Sequence, residues 1–168
     1  MSSSPLNILF LCTGNSCRSI MAESLIGRYG AGRFRSYSAG SHPAGSVNPH
    51  TLALLDRLGQ PSDGLRSKSW LEYGVENEPG PVEMQIVITV CDNAAGEVCP
   101  IWPGHPTTAH WPFRDPFVFK GSFEEKAAEY AAVYGAMEIS IIALVALPLE
   151  TLDEESLRER LAAIGRAT

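Results

Sequence analysis

The sequence lacks two features that would assign it to a large functional class. It has no excess of basic residues, because 13 lysines and arginines are outnumbered by 19 acidic residues and the formal net charge is −6. We therefore expect no general affinity for nucleic acid or for an anionic membrane surface, although one local basic loop can still bind an anion. It also has no internal repeat, which suits a chain of one domain.

Long hydrophobic runs are also missing. The most apolar later stretch, residues 139–149, contains Ser140 and Pro148 and falls short of the roughly 18 residues that a membrane span requires, so it is interpreted as buried helix. Residues 1–5 carry no charged leader and no small-residue cleavage site. We expect a cytoplasmic protein with no membrane partner, whose four cysteines are free thiols and not static disulfides.

Length and hydrophobic periodicity predict the fold class. A chain of 168 residues with 45% hydrophobic content suits a single domain, with a core from about residue 6 to residue 166. Short apolar runs predict strands at 6–12, 34–40, 84–90 and 107–111, and helical patterns begin at Ser19, Asn48, Phe123 and Asp153. The alternation predicts an α/β fold with a doubly wound, four-stranded parallel sheet flanked by helices. Ligands of such sheets bind at the carboxyl ends of the strands.

The stretch LCTGNSCRS, residues 11–19, joins the first predicted strand to the first predicted helix. Such a loop turns backbone N–H groups inward and ends at a helix N-terminus, so it favours a tetrahedral oxyanion. Arg18 offers a planar fork for two oxyanion oxygens, and its charge predicts a lowered pKa for a nucleophilic Cys12. The alternative is a buried strand-end cysteine beside an ordinary turn. The predicted anion-binding residues are Thr13, Gly14, Asn15, Ser16, Cys17, Arg18 and Ser19.

A second pair of cysteines, Cys91 and Cys99, lies in the segment CDNAAGEVC. A continuous helix would separate them by about 12 Å, whereas a disulfide needs Cα atoms within about 7 Å, so the segment must loop or unwind to join them. Asn93, Gly96 and Pro100 favour such flexibility. A redox pair is the favoured interpretation, and two inert thiols are the alternative. The spacings miss the Cys-x2-Cys pattern of zinc sites, so no metal site is predicted.

These motifs resemble the low-molecular-weight protein tyrosine phosphatase family and, within it, the thioredoxin-coupled type of arsenate reductase. The resemblance covers residues 6 to about 164 and includes LCTGNSCRS, SAGSHPAG, VCDNAAGEVCPIWPG, HWPFRDP and LPLETLDEESLRERLAAIG. The first motif identifies the superfamily, and the later cysteine segment favours the reductase branch. The resemblance implies that Cys12 is the nucleophile, Arg18 the oxyanion-binding residue, Asp115 the general acid and Ser19 the hydroxyl that steadies the thiolate.

The resemblance also implies a reaction. Cys12 attacks arsenate, Cys91 attacks Cys12 and releases arsenite, and Cys99 moves the disulfide to the surface. No bound cofactor is implied, and the partner is an external dithiol reductant, which is thioredoxin, glutaredoxin with glutathione, or mycothiol. Some phosphatase side activity is expected of such a reductase. Two alternatives stay open: a tyrosine phosphatase with a phosphocysteine at Cys12, and a non-enzymatic thiol sensor.

Three departures from the family pattern stand out. Phe117 follows the Asp-Pro motif where tyrosine phosphatases of this fold usually carry tyrosine, and the gap between Cys91 and Cys99 is one residue longer than in the best-known reductases. Some members bind potassium near the loop through residues that match Asn15 and Ser38 and an acidic residue further on. Here Lys68 stands close to the place of that acid, and its ammonium is the candidate replacement for the ion.

Overall fold

Four parallel strands form the centre of the molecule, described by a computed structural model over residues 4–75, 82–91, 96–97 and 100–168. The strands are β1 (Leu6–Cys12), β2 (Phe34–Gly40), β3 (Ile86–Thr89) and β4 (Thr107–His110). They are ordered β2-β1-β3-β4, and each neighbouring pair is parallel. The predicted four-stranded parallel sheet with flanking helices is confirmed.

Four α-helices are given bounds in the described part of the chain, and all but the first begin at a side-chain cap. They are α1 (Arg18–Tyr29), α2 (Pro49–Arg57), α3 (Phe123–Val145) and α4 (Glu154–Arg166), with short 3-10 helices at Trp70–Tyr73 and Pro116–Val118. The predicted capping box at Ser122 is present, because its hydroxyl accepts from the Glu125 N–H and the Glu125 carboxylate accepts from the Ser122 N–H. Asn48 and Asp153 cap α2 and α4 through their side-chain oxygens, which accept from the His50 and Ser156 N–H groups. Predicted and observed boundaries differ by about two residues or less.

Both faces of the sheet are buried, which explains the continuous apolar run of β1. Ile8 and Phe10 point into a core shared with all four helices, whereas Leu9 and Leu11 belong to a second cluster that includes Trp70. In the described part of the chain, the second face is covered by the 3-10 helix at Trp70–Tyr73 and the loops around residues 84 and 102. Strand β1 is therefore held rigidly from both sides.

Helix α3 is long and apolar enough, by length and composition alone, to cross a membrane. Its apolar side nevertheless packs in the main core, where Tyr130, Val133, Met137 and Ile141 are buried against neighbouring elements. The helix contacts α1, α2 and α4 along its length. These contacts are those of a core helix, as predicted for this stretch.

The strand order places the ends of β1 and β3 at the point where the chain changes direction across the sheet. Helix α1 leads from β1 to one neighbour, β2, and the chain then crosses back to β3 on the other side of β1. Parallel sheets bind ligands at the carboxyl ends of the strands at this switch point. Cys12 ends β1 and Cys91 lies two residues beyond β3, so both cysteines are at this edge.

Candidate active site

The loop after β1 is held from outside by its carbonyl groups. The carbonyls of Thr13, Gly14 and Ser16 accept hydrogen bonds from backbone N–H groups of the segment 42–48, at 2.9, 2.9 and 3.1 Å. In a planar trans peptide the N–H points opposite to the carbonyl, so the N–H groups of these peptide units turn toward the centre of the loop. The loop thus has the inward N–H arrangement of an oxyanion site, next to the N-terminus of α1.

Two residues permit this tight curve. Asn15 adopts a left-handed backbone with φ of 45°, a conformation that asparagine tolerates better than most residues. Gly40 ends β2 directly against the loop, and a side chain there would collide with the Thr13 carbonyl and approach the Asn15 backbone nitrogen to 3.0 Å. The loop conformation therefore depends on a glycine outside the loop itself.

The Cys12 sulfur lies at the base of the loop and is almost fully buried. It is 2.9 Å from the Ser19 hydroxyl and accepts a hydrogen bond from the Asn15 N–H at 3.2 Å. Burial raises the pKa of the Cys12 thiol, and the Ser19 hydrogen bonds and the Arg18 charge act in the opposite direction. The sequence prediction of a lowered pKa is therefore wrong, because the desolvation of a strand-end sulfur outweighs the charge of Arg18.

A hydrogen-bond network connects Cys12 to residues outside the loop. The Asn15 side-chain amide donates to Ser19 Oγ at 2.8 Å and to Ser38 Oγ at 2.9 Å, while its carbonyl accepts from the Lys68 N–H at 2.9 Å. Asn15, Ser19 and Ser38 have no exposed surface. Because the nitrogen and the oxygen of the Asn15 amide each have a partner, the network fixes the orientation of that amide. The amide in turn positions the Ser19 hydroxyl next to the Cys12 sulfur.

The network ends at an ion pair between Glu23 and Lys68, of which the sequence pattern indicated only Lys68. Glu23 accepts a hydrogen bond from Ser38, and its carboxylate lies 3.9 Å from the ammonium of Lys68, which also donates to the Arg66 carbonyl at 2.8 Å. Burial raises the pKa of Glu23 and lowers that of Lys68, while each partner's charge acts against the shift. The Lys68 ammonium thus lies beside Glu23, and the Lys68 backbone N–H is bonded to Asn15. Its role as a replacement for a potassium ion stays a prediction. Glu23 follows Ser19 by four residues on α1, and that spacing was the available signal.

Arg18 and Asp115 are paired with each other. The Arg18 guanidinium donates through Nη1 to the Phe113 carbonyl at 3.0 Å, and Nη2 lies 3.3 Å from Asp115 Oδ2. The other carboxylate oxygen, Oδ1, accepts from the Phe117 N–H at 3.0 Å and starts the 3-10 helix at Pro116–Val118. The structure therefore brings the predicted general acid to the mouth of the loop, and Phe117 is largely exposed beside it.

Cys91 is also at the loop. Its sulfur is buried and lies 3.6 Å from the hydroxyl of Thr13, the residue directly after Cys12. A charge on Cys91 would raise the pKa of Cys12, which reflects the proximity of the two thiols. Cys99 lies outside the described residues. Of the three described cysteines, the structure therefore brings Cys12 and Cys91 to the same loop, and all three are free thiols.

Cys17 has a different environment from the other loop residues. Its buried sulfur lies 3.5 Å from the hydroxyl of Tyr130 on α3, whose ring stacks on His50 at 5.1 Å between centroids. Burial raises the pKa of Tyr130. Cys17 is therefore a packing contact between the loop and α3, and its sulfur points toward α3. Tyr130 was not identified from the sequence because its position in the helical pattern is that of any core residue.

Comparison with known proteins agrees with this geometry. The family model described as low molecular weight phosphotyrosine protein phosphatase matches residues 7–159. A curated arsenate reductase from Bacillus subtilis is 36% identical over 126 residues, which cover 75% of this chain and 85% of that protein.

Solved structures with the same fold include an arsenate reductase from Archaeoglobus fulgidus, with a TM-score of 0.62 and 23% identity over 83% of this chain and 99% of that one. A second is a thioredoxin-dependent arsenate reductase from Corynebacterium glutamicum, with a TM-score of 0.53 and 24% identity over 84% of this chain and 64% of that one. At these identities the two structures establish the fold alone. The family match over most of the chain shows that this protein is an enzyme that belongs to the low molecular weight phosphotyrosine protein phosphatase family.

Proposed function

We propose that this protein is an arsenate reductase that forms an adduct at Cys12 and resolves it through Cys91 and Cys99. The observation that carries the proposal is the position of Cys91, whose buried sulfur lies 3.6 Å from Thr13 in the loop that begins at Cys12. A phosphatase that hydrolyses its cysteine adduct with water has no need for a second buried thiol there. The similarity to the Bacillus subtilis arsenate reductase supports the same activity.

The substrate in this account is arsenate, and phosphate binds in the same manner. The inward N–H groups of the loop and the guanidinium of Arg18 supply donors for a tetrahedral oxyanion, as expected for a loop at a helix N-terminus. These groups supply the positive potential locally in a protein whose net charge is −6. No metal is required for binding, because the loop and Arg18 supply the donors.

The first step is nucleophilic attack. The Cys12 thiolate attacks arsenic(V), a sulfur–arsenic bond forms, and one hydroxyl leaves as water after it takes a proton from Asp115. The Asn15 N–H and Ser19 hydroxyl lie 3.2 and 2.9 Å from the attacking sulfur and stabilise its charged form against burial. Because the pKa of Cys12 is raised, these two hydrogen bonds and Arg18 supply the stabilisation that the thiolate requires.

The second step reduces the arsenic. The Cys91 thiolate attacks the Cys12 sulfur, a disulfide forms, and the sulfur–arsenic bond breaks with its electron pair left on arsenic, which departs as arsenite. Thr13 holds the Cys91 sulfur at the edge of the loop through the 3.6 Å contact. Oxidation of two thiols therefore balances the two-electron reduction of arsenic(V) to arsenic(III).

The third step restores the nucleophile. Cys99 attacks Cys91, Cys12 is released as a thiol, and the resulting Cys91–Cys99 disulfide is reduced by an external dithiol. The Corynebacterium glutamicum neighbour is described as thioredoxin-dependent, and for this reason thioredoxin is the first reductant to test; glutaredoxin with glutathione and mycothiol are the others. Free thiols of this kind suit a reducing cytoplasm, where we place the protein.

The test separates reduction from hydrolysis. We expect Cys91→Ser to lose arsenate-dependent NADPH oxidation in assays with each reductant system, and to keep hydrolysis of p-nitrophenyl phosphate. Cys17→Ser is the matched control, because Cys17 is equally buried but faces Tyr130, and it should keep both activities. Arsenate reduction that persists in Cys91→Ser would contradict the relay.

A second candidate, a low-molecular-weight tyrosine phosphatase, has support from the pairing of Asp115 with Arg18 at the mouth of the loop. Cys12, Arg18 and Asp115 suffice for phosphoryl transfer through a phosphocysteine, and the exposed Phe117 offers a surface for an aryl group. Phosphatase activity that is unchanged in both cysteine variants, with no arsenate reduction in the wild type, would favour this function. A non-enzymatic sensor would bind phosphate without turnover in either assay.

A further inference from the structure

The two charged residues assigned to binding and proton transfer are in contact with each other. The Arg18 guanidinium is the donor expected to hold two oxygens of the anion, yet Nη1 donates to the Phe113 carbonyl and Nη2 lies 3.3 Å from the Asp115 carboxylate. A planar guanidinium can serve a bidentate anion only with two suitably directed N–H groups. Nη1 and Nη2 are thus directed at the segment 113–115, and an anion that binds through both of these nitrogens must displace the two contacts.

The Asp115 carboxylate is held in a fixed position next to Arg18. Its Oδ1 accepts the Phe117 N–H at 3.0 Å, and the 3-10 helix that follows begins at the buried Pro116. The carboxylate is therefore fixed by its own turn, with Oδ2 directed at Arg18. The side chains of Arg18 and Asp115 are 14% and 32% exposed, so solvent screens this pair less than a pair on the open surface.

We infer that Asp115 competes with the bound oxyanion for Arg18, so that the Arg18–Asp115 pair is the resting state of the site and the anion must displace it. Displacement turns the guanidinium to the anion and leaves the Asp115 carboxyl next to the substrate without its cation. The acid thus becomes available when the loop is filled. This inference rests on the proposed oxyanion site and adds a restraint on the strength of anion binding.

The test uses inorganic phosphate as the probe and isothermal titration calorimetry as the readout. Asp115→Asn keeps the size of the side chain and removes its charge, and we expect it to bind phosphate about threefold to tenfold more tightly than the wild type. Asp56→Asn is the matched control, because Asp56 is exposed on α2 and its loss changes the net charge equally. It should change the affinity less than twofold.

Repulsion between Asp115 and the anion would also weaken binding, and a second arm separates it from competition. In an Arg18→Ala background, measured by phosphate titration in NMR spectra, competition predicts no gain from Asp115→Asn, whereas repulsion alone predicts the full gain. A crystal structure with phosphate supplies a further readout, in which the Arg18–Asp115 distance should exceed about 4 Å.

The outcomes distinguish the inference from the function on which it rests. Wild-type protein that binds no phosphate would contradict the oxyanion site itself. Phosphate bound in the loop with the Arg18–Asp115 pair intact, or an Asp115→Asn affinity equal to that of the wild type, would overturn the competition and leave the oxyanion site in place.

Discussion

At the scale of single residues, the site depends on a few hydrogen bonds to a buried sulfur. Cys12 is desolvated, and burial is the main cause that raises its pKa. The Ser19 hydroxyl at 2.9 Å opposes that shift, and Asn15 holds Ser19 from the other side at 2.8 Å. Reactivity at Cys12 is therefore a balance of burial against neighbouring donors.

This balance gives a prediction for Ser19→Ala. Loss of a hydroxyl that donates to the charged sulfur favours the neutral thiol, so the pKa of Cys12 should rise further, by up to about one unit for one hydrogen bond of about 1 kcal/mol. The measurement is the pH dependence of iodoacetamide alkylation at Cys12, followed by mass spectrometry. The curve should move to higher pH, and thiolate chemistry below the pKa should slow in proportion.

Ser36→Ala is the control for this prediction. Ser36 lies in β2 and also contacts α1, but its hydroxyl donates to the backbone carbonyl of Glu23 and not to the Cys12 sulfur or its partners. Its alkylation curve should match that of the wild type. An unchanged or lower midpoint in Ser19→Ala would show that Ser19 does not stabilise the thiolate.

Residue types and spacing revealed some of these contacts and not others. The loop residues and Asp115 carry a recognisable pattern, and the structure brings them together. The Arg18–Asp115 pair and the link from Glu23 to Asn15 were not predicted, because they join elements whose relative placement the sequence does not encode locally. The sign of the Cys12 pKa shift was predicted wrongly for the same reason, since the degree of burial emerges only from packing.

At the scale of elements, the positions of helices are set by close backbone approach. Helix α4 packs on β4, where the Trp111 indole donates to the Leu161 carbonyl at 2.9 Å. Gly165 lies at the same contact, and a Cβ there would come within 2.5 Å of the His110 carbonyl oxygen and 2.9 Å of the Trp111 ring. Helix α4 can therefore pack this close to β4 only because residue 165 has no side chain.

We predict opposite effects for two glycine-to-alanine changes in helices. Gly165→Ala should lower the free energy of unfolding by about 1–3 kcal/mol, because the methyl group forces α4 away from β4. Gly135→Ala in α3 has open space around the added Cβ and should raise it by about 0.5–1 kcal/mol, since alanine restricts the unfolded chain and favours helix.

Urea unfolding followed by circular dichroism measures both values. Equal effects from the two substitutions would mean that the approach of α4 to β4 is looser than the structure describes.

The elements themselves were predictable to within about two residues, because apolar periodicity and capping residues are local signals. The close approach at Gly165 was not predictable, because the same glycine at a helix end suits many folds.

At the scale of the whole molecule, parallel topology brings distant cysteines together. Cys12 and Cys91 are separated by 79 positions, yet Cys12 ends β1, Cys91 follows β3, and these two strands are neighbours in the sheet. That proximity was predictable from the strand pattern, since adjacent parallel strands end side by side. The relay beyond Cys91 depends on Cys99, whose position lies outside the described residues.

The most direct test of the central claim is to trap the intermediate of the second step. A Cys99→Ser variant treated with one equivalent of arsenate should release one equivalent of arsenite and stop as a Cys12–Cys91 disulfide, detected by peptide mass spectrometry after alkylation of the remaining thiols. No arsenite, or a disulfide that joins Cys12 to Cys17 in place of Cys91, would contradict the account.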